Sequence, residues 1–252
     1  MATEQVHLEY QWWGLEDTTF KGDVVYEIVA RFNLEEHVFK DWYDFEQKMP
    51  HMAYAWAVAT RFDNLERLFI HLRMVPQMLG VEPLPVKSTV EDISRHQWLM
   101  SIQDLALYRF SSIRDVSLHF VNDLLEIGLG ELELNIGKIK KAILQTHPNV
   151  IAILKEINQC GRSVREDRNS RAHEGTVTLG TKDDEIFRIA SAIESFGGRT
   201  NKFDIEAVYR EAVDDIYKRF VSETNTLQEK VKTLVDSLLD EFNCRYDARR
   251  PT

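Results

Sequence analysis

Proline and glycine are scarce: the 252 residues hold 6 Pro and 11 Gly. With so few breakers the chain lacks the turns a many-stranded β fold needs, and long helices are favoured. Cysteine is scarcer still. Cys160 and Cys244 are the two in the chain. They make neither a disulfide framework nor a zinc site, and free thiols suit a reducing compartment. The opening MATEQVHLEY lacks the basic-then-apolar layout of a signal peptide. The longest strongly apolar stretch, near AYAWAVA, is far too short to span a bilayer. No Asn-X-Ser/Thr acceptor occurs. These absences predict a soluble, cytoplasmic protein without a membrane partner.

Positive charge is also in short supply. The net charge is -10, which argues against a general nucleic-acid coat protein, since phosphate binding favours a basic face. The deficit is uneven. Between Gly137 and His173 stand Lys138, Lys140, Lys141, Lys155, Arg162, Arg165, Arg168 and Arg171, against Glu156, Glu166 and Asp167. Such an island is either a solvated helix face or a place that gathers an anion. Apolar residues make up 44%, enough for a packed core.

Periodicity predicts the elements. Residues 5–33 allow two readings. VHLEYQW alternates at period two, which suggests a short N-terminal β-hairpin, while DVVYEIVARF fits a helix over 23–33 nearly as well. A helix is expected from Asn33, its cap, to Pro50. Another runs from Met52 to Met74, with Ala55, Val58, Phe62, Leu65, Phe69 and Leu72 on one face and Pro76 ending it. VEPLPVKS is a loop. A long helix follows from about Ser94 to Ile127, stopped by GLG at 128–130. A further segment covers 131–145, and Pro148 opens the next helix. Along that helix Val150, Leu154, Ile157, Gly161 and Val164 step by four and three, and the next step reaches Arg168. The stripe therefore predicts that Arg168 points inward. GTVTLGTKDD is a loop, a helix spans 183–196, and Asp204 caps a final helix of about forty residues, on the order of 60 Å if unbroken. The fold class is all-α, a bundle of long antiparallel helices.

The stretch REDRNSRAHEG, 165–175, concentrates the chemistry. Guanidinium keeps its charge at any ordinary pH, and its planar fork fits phosphate oxygens. A charge carried inward needs a carboxylate, an interface or a bound anion as partner. Asn169 adds neutral donor and acceptor groups. His173, with an unperturbed pKa near ~6.5, can give or take a proton close to neutrality. Arg, Asn and His together can cleave RNA without a metal. A base removes the 2′-hydroxyl proton, a cation steadies the transition-state charge, and an acid protonates the leaving 5′-oxygen. DNA lacks the 2′-hydroxyl and is spared.

Arg168 to His173, RNSRAH, resembles the Arg-polar-x(n)-His signature of the HEPN superfamily, in the version with Asn after Arg and four residues between Arg and His. The resemblance covers about 25 residues around the motif and extends to the helical layout from 94 to 243. It implies a HEPN-type helical domain over 51–252, with 1–50 as an N-terminal extension packed on it. It implies a homodimer whose two motifs line one cleft. Many members are metal-independent endoribonucleases of toxin–antitoxin, phage-defence and RNA-processing systems, so RNA and an antitoxin are the implied partners and no cofactor is needed. Others bind nucleotides or RNA without catalysis, which is the alternative for this chain. Carried over, Arg168 contacts phosphate, Asn169 positions substrate and His173 transfers the proton. The basic neighbours Arg165 and Arg171 are assigned to substrate binding.

Other groupings favour structural roles. Asp115 and His119 stand four apart on a helix without a second ligand pair, so an intrahelical contact is expected rather than a metal. Of Trp12, Trp13, Trp42, Trp56 and Trp98, most fall on or beside apolar stripes, which suits core packing over base stacking. Cys160 reads as a small core residue. A helical scaffold in which Arg168 pairs with an internal acid is the third reading.

Overall fold

In the computed structural model, residues 14–25, 38–81, 93–160, 184–195 and 204–250 are described, with 162, 164, 166, 167, 169 and 170 between the third and fourth stretches. Every regular element among them is helical, so the fold is all-α. A π-helical turn, Lys21–Val25, precedes α1 (Trp42–Lys48), α2 (Pro50–Leu72), α3 (Met74–Leu79) and α4 (Arg95–Leu124). Then come α5 (Ile136–Ile143), α6 (Pro148–Gln159), α7 (Asp184–Ser195), α8 (Ile205–Asp236) and α9 (Leu239–Asp247). The N-terminal hairpin expected at 6–12 and the loops at 82–88 and 174–183 lie outside the described residues.

Local chemistry sets these boundaries, and it corrects three expectations. The helix expected from Asn33, which lies outside the described residues, to Pro50 is not continuous, and a helix starts at Trp42. Residues 38–41 are non-helical, and the Asp41 carboxylate accepts the Asp44 N–H at 2.9 Å as the cap. Pro76 ends α2 from a distance, and it sits inside α3. Having no N–H, it cannot bond the Leu72 carbonyl four residues back, and α2 accordingly stops at Leu72. The final helix does not run unbroken. It turns at Ser237 and Leu238, so α8 has 32 residues and α9 has 9. The stripe of α6 is interrupted too: Cys160 adopts φ -54° and ψ 134°, outside the helical region.

Other expectations hold. Pro148 occupies the first turn of α6. Asp204 caps α8, its carboxylate accepting the Ala207 N–H at 3.1 Å. α4 ends just before GLG. There Glu126 and Gly128 take positive φ, 49° and 77°. The Asn122 side chain accepts from the Leu129 N–H at 3.0 Å and donates to the Leu129 carbonyl at 3.3 Å. A buried amide thus satisfies the backbone where the helix turns away.

The chain divides into two compact units. One draws its described residues from 71–111 and 161–225, the other from 14–70, 112–160 and 226–252. The second has an aromatic centre. Phe20 is fully buried and meets Phe62 at 5.2 Å, Phe120 at 5.5 Å and Phe242 at 5.5 Å between ring centroids. Edge-on pairs of this kind add to the burial of ring area. Leu65, Phe69, Leu124, Ile139, Leu154, Val231 and Leu234 of the same unit are all buried. A Lys21–Glu66 ion pair, little exposed on either side, closes the turn against α2. The first unit packs Val75 and Leu79 of α3, Leu99, Ile102 and Ala106 of α4, Phe187 of α7, and Tyr209, Ala212, Val213 and Ile216 of α8 into one core.

Candidate functional site

The segment 162–170 belongs to the first unit, whereas α6 belongs to the second. Arg162, Val164, Glu166, Asp167, Asn169 and Ser170 are helical, Val164 is buried and Asn169 is exposed. The helix expected to carry Val150 through Arg168 on one stripe is therefore two pieces. The count in threes and fours does not continue through the extended Cys160, although Val164, four residues before Arg168, is buried in the run that follows. Arg165, Arg168, Arg171 and His173 lie outside the described residues. Of the assigned site, Asn169 is the described member, and it faces solvent.

Among the described residues, both acids of that segment have an arginine partner. Arg162 donates to Glu166 at 2.9 Å within the helical run, both side chains well exposed. Arg219 of α8 donates to Asp167 at 2.6 Å, with 41% and 39% of the two side chains exposed. The basic island divides four and four between the units. Lys138, Lys140, Lys141 and Lys155 are exposed, and Lys138 is held by Glu133 at 2.6 Å. For these four the solvated-face reading is correct.

A polar framework that periodicity gave no sign of ties this unit together. At the start of α4, Arg95 donates to Glu194 at 2.9 Å and to Glu206 at 2.7 Å, and its guanidinium lies 5.1 Å from the Tyr209 ring centroid. Burial alone would lower the Arg95 pKa, but the two carboxylates outweigh it and hold the pKa above its ordinary value. The adjacent His96 is buried, its ring Nε2 is 3.1 Å from Asp184, and its backbone N–H donates to Ser191 Oγ at 2.9 Å. Ser, His and Asp are thus close together, yet they are not arranged for nucleophilic attack. The Ser191 hydroxyl is fully buried and its oxygen is occupied by a backbone donor rather than by the imidazole. The group is a clamp between α4 and the two ends of α7.

No family model matches the chain, and no curated protein or solved structure does either.

The remaining candidates resolve individually. Asp115 lies 3.8 Å from Arg114, and no group of three His, Cys, Asp or Glu side chains among the described residues is arranged to hold a metal. No helix among the described residues is long and apolar enough to cross a membrane. Trp98 packs on the core of the first unit as expected. Trp42 and Trp56 do not pack inside: 47% and 41% of each is exposed, and the Trp42 indole N–H donates to Glu46 at 2.8 Å. Trp12 and Trp13 lie outside the described residues.

The second unit holds a cleft of about 450 Å³ floored by Pro50, Ala53, Tyr54 and Ala57 and edged by Asn122 and Glu126. Its polar atoms are spent on one another. The Tyr54 hydroxyl donates to the Leu124 carbonyl at 2.8 Å, and Glu126 takes both Arg245, at 3.1 Å, and Arg249. Arg249 also lies over the Tyr54 ring at 4.5 Å. Burial pushes the Tyr54 hydroxyl well above its ordinary pKa, so it stays protonated as a donor. These bonds stabilise the helix ends that wall the cleft.

Proposed function

We propose that the chain is a metal-independent endoribonuclease of HEPN type, acting as a homodimer at a cleft lined by two copies of 168–173. The observation that carries the reading is the string Arg168-Asn169-x3-His173 in an all-α chain, with Asn169 at the exposed surface of a helical run. In this mechanism one histidine takes the proton of the ribose 2′-hydroxyl, and the freed oxygen attacks the adjacent phosphorus. The arginine guanidinium compensates the charge that grows on the phosphate oxygens. A proton then passes to the departing 5′-oxygen, leaving a 2′,3′-cyclic phosphate and a 5′-hydroxyl. Asn169 orients the substrate. Arg165 and Arg171 supply further contacts to the RNA backbone. The reading places the protein in the cytoplasm, where an antitoxin would hold it in check.

The test is digestion of RNA by the full chain with chelator present, comparing wild type with His173→Ala. Loss of a general acid–base group should lower the rate by about 10²–10⁴-fold. Equal rates for the two proteins, or no cleavage of any RNA by wild type, would refute the enzyme reading.

A second reading is a non-catalytic module that binds a nucleotide or RNA. It is favoured by the ion pairs beside the motif, where Glu166 and Asp167 are each matched by an arginine. Arg168→Ala then abolishes binding of a labelled RNA, and wild type shows no turnover.

A further inference from the structure

Resting on the ribonuclease reading, we infer that Arg219 is a positioning residue for the motif, acting through its ion pair with Asp167. Asp167 directly precedes Arg168 in the chain. It stands in the helical run that includes 162, 164, 166, 167, 169 and 170. Val164 anchors the run on its buried side. Beyond Val164, the Asp167–Arg219 bond at 2.6 Å ties the run to α8 across a sequence separation of 52. The neighbouring pairs do different work. Arg162–Glu166 and Lys218–Asp214 each join residues four apart on one helix, so they stiffen it without fastening it to another.

The pair has two consequences for a phosphate-binding arginine next to Asp167. It limits how far the backbone that carries the motif can swing, and displacements of about 1 Å are enough to cost a large share of a reaction rate. It also neutralises a carboxylate that would otherwise repel RNA and compete for the guanidinium of Arg168. Because both partners are partly exposed, the bond contributes little to global stability. A function-linked role therefore predicts a local and kinetic effect on a protein that melts almost normally.

The experiment uses the full chain in four forms: wild type, Arg219→Ala, the exchanged pair Asp167→Arg with Arg219→Asp, and His173→Ala. Amide hydrogen exchange is followed segment by segment, and RNA cleavage is measured with chelator present. For Arg219→Ala, exchange across 164–173 should quicken by about tenfold, exchange in α6 should not change, and Tm should move by no more than about 2–3 °C. KM for RNA should rise and kcat fall, with kcat/KM down by about tenfold and more so at low salt. The exchanged pair should return both readouts to within about threefold of wild type, because it restores the bond with its polarity reversed. Wild-type exchange and kinetics in Arg219→Ala overturn the inference. So does an exchanged pair that stays impaired, since Arg219 would then be touching RNA itself. If wild type and His173→Ala cleave alike, the ribonuclease reading falls, while the exchange measurement still decides whether Arg219 holds the segment.

Discussion

The two units are held together in different ways. In the second, the rings of Phe62, Phe120 and Phe242 meet around Phe20, and Lys21 and Glu66 form a little-exposed ion pair. In the first, a smaller core underlies a framework of half-buried arginine, histidine and carboxylates running through Arg95, His96, Asp184, Glu194 and Glu206. Apolar burial is non-directional and forgiving, whereas charge pairs fix geometry at some cost in desolvation. The first unit, with its charged framework, is also the one that contains 162–170.

The contrast is most easily broken at its aromatic side. Phe62→Ala removes a fully buried ring that stacks on Phe20 and should cost about 3–5 kcal/mol in urea unfolding. Exchange should quicken in α6 and α9 before it does in 95–111. Uniform quickening would show that the two units unfold as one. Arg95→Met tests the other side. It deletes bonds to Glu194 and Glu206 while keeping the aliphatic stem, and should cost about 1.5–3 kcal/mol, with exchange rising first in α7. A cost near zero would mean that solvent already screens both carboxylates.

The smallest effect concerns acid. Burial pushes the Glu241 carboxyl up, but bonding to Arg245 and the nearby His147 outweigh it, leaving the pKa below the ordinary 4.5. On acidification the unfolded chain therefore takes up this proton before the folded one does. The stability from Glu241 is complete above about pH 4.5 and fades as pH drops through the lower folded value. Glu241→Gln should accordingly lower Tm slightly at pH 7 and hardly at all at pH 3. An equal drop at both would show that packing rather than charge is at work.

Much of the helical layout was legible because proline and polar caps act locally. Pro148 opening α6 and Asp204 capping α8 follow from one residue and its immediate neighbours. The effect of Pro76 falls away from its own position, because its missing donor is felt four residues upstream, at Leu72. The break at Cys160 was invisible because Val164 resumes an apolar stripe after it, so the spacing looked continuous. Trp42 and Trp56 were placed inside on hydrophobicity, which does not forbid a ring from facing water. The partners of Arg95 and of Asp167 lie far off in the chain, and no period or motif announces such meetings.

The division of the chain has a consequence for how it folds. The polypeptide passes from one unit to the other at 70/71, 111/112, 160/161 and 225/226. Residues 71–111 must wait for 161–225, and Phe20 must wait for Phe242, before either has its neighbours. An all-helical protein ordinarily folds fast because its partners are near in sequence. This one should fold slowly for its class, and during synthesis on the ribosome neither half can mature early.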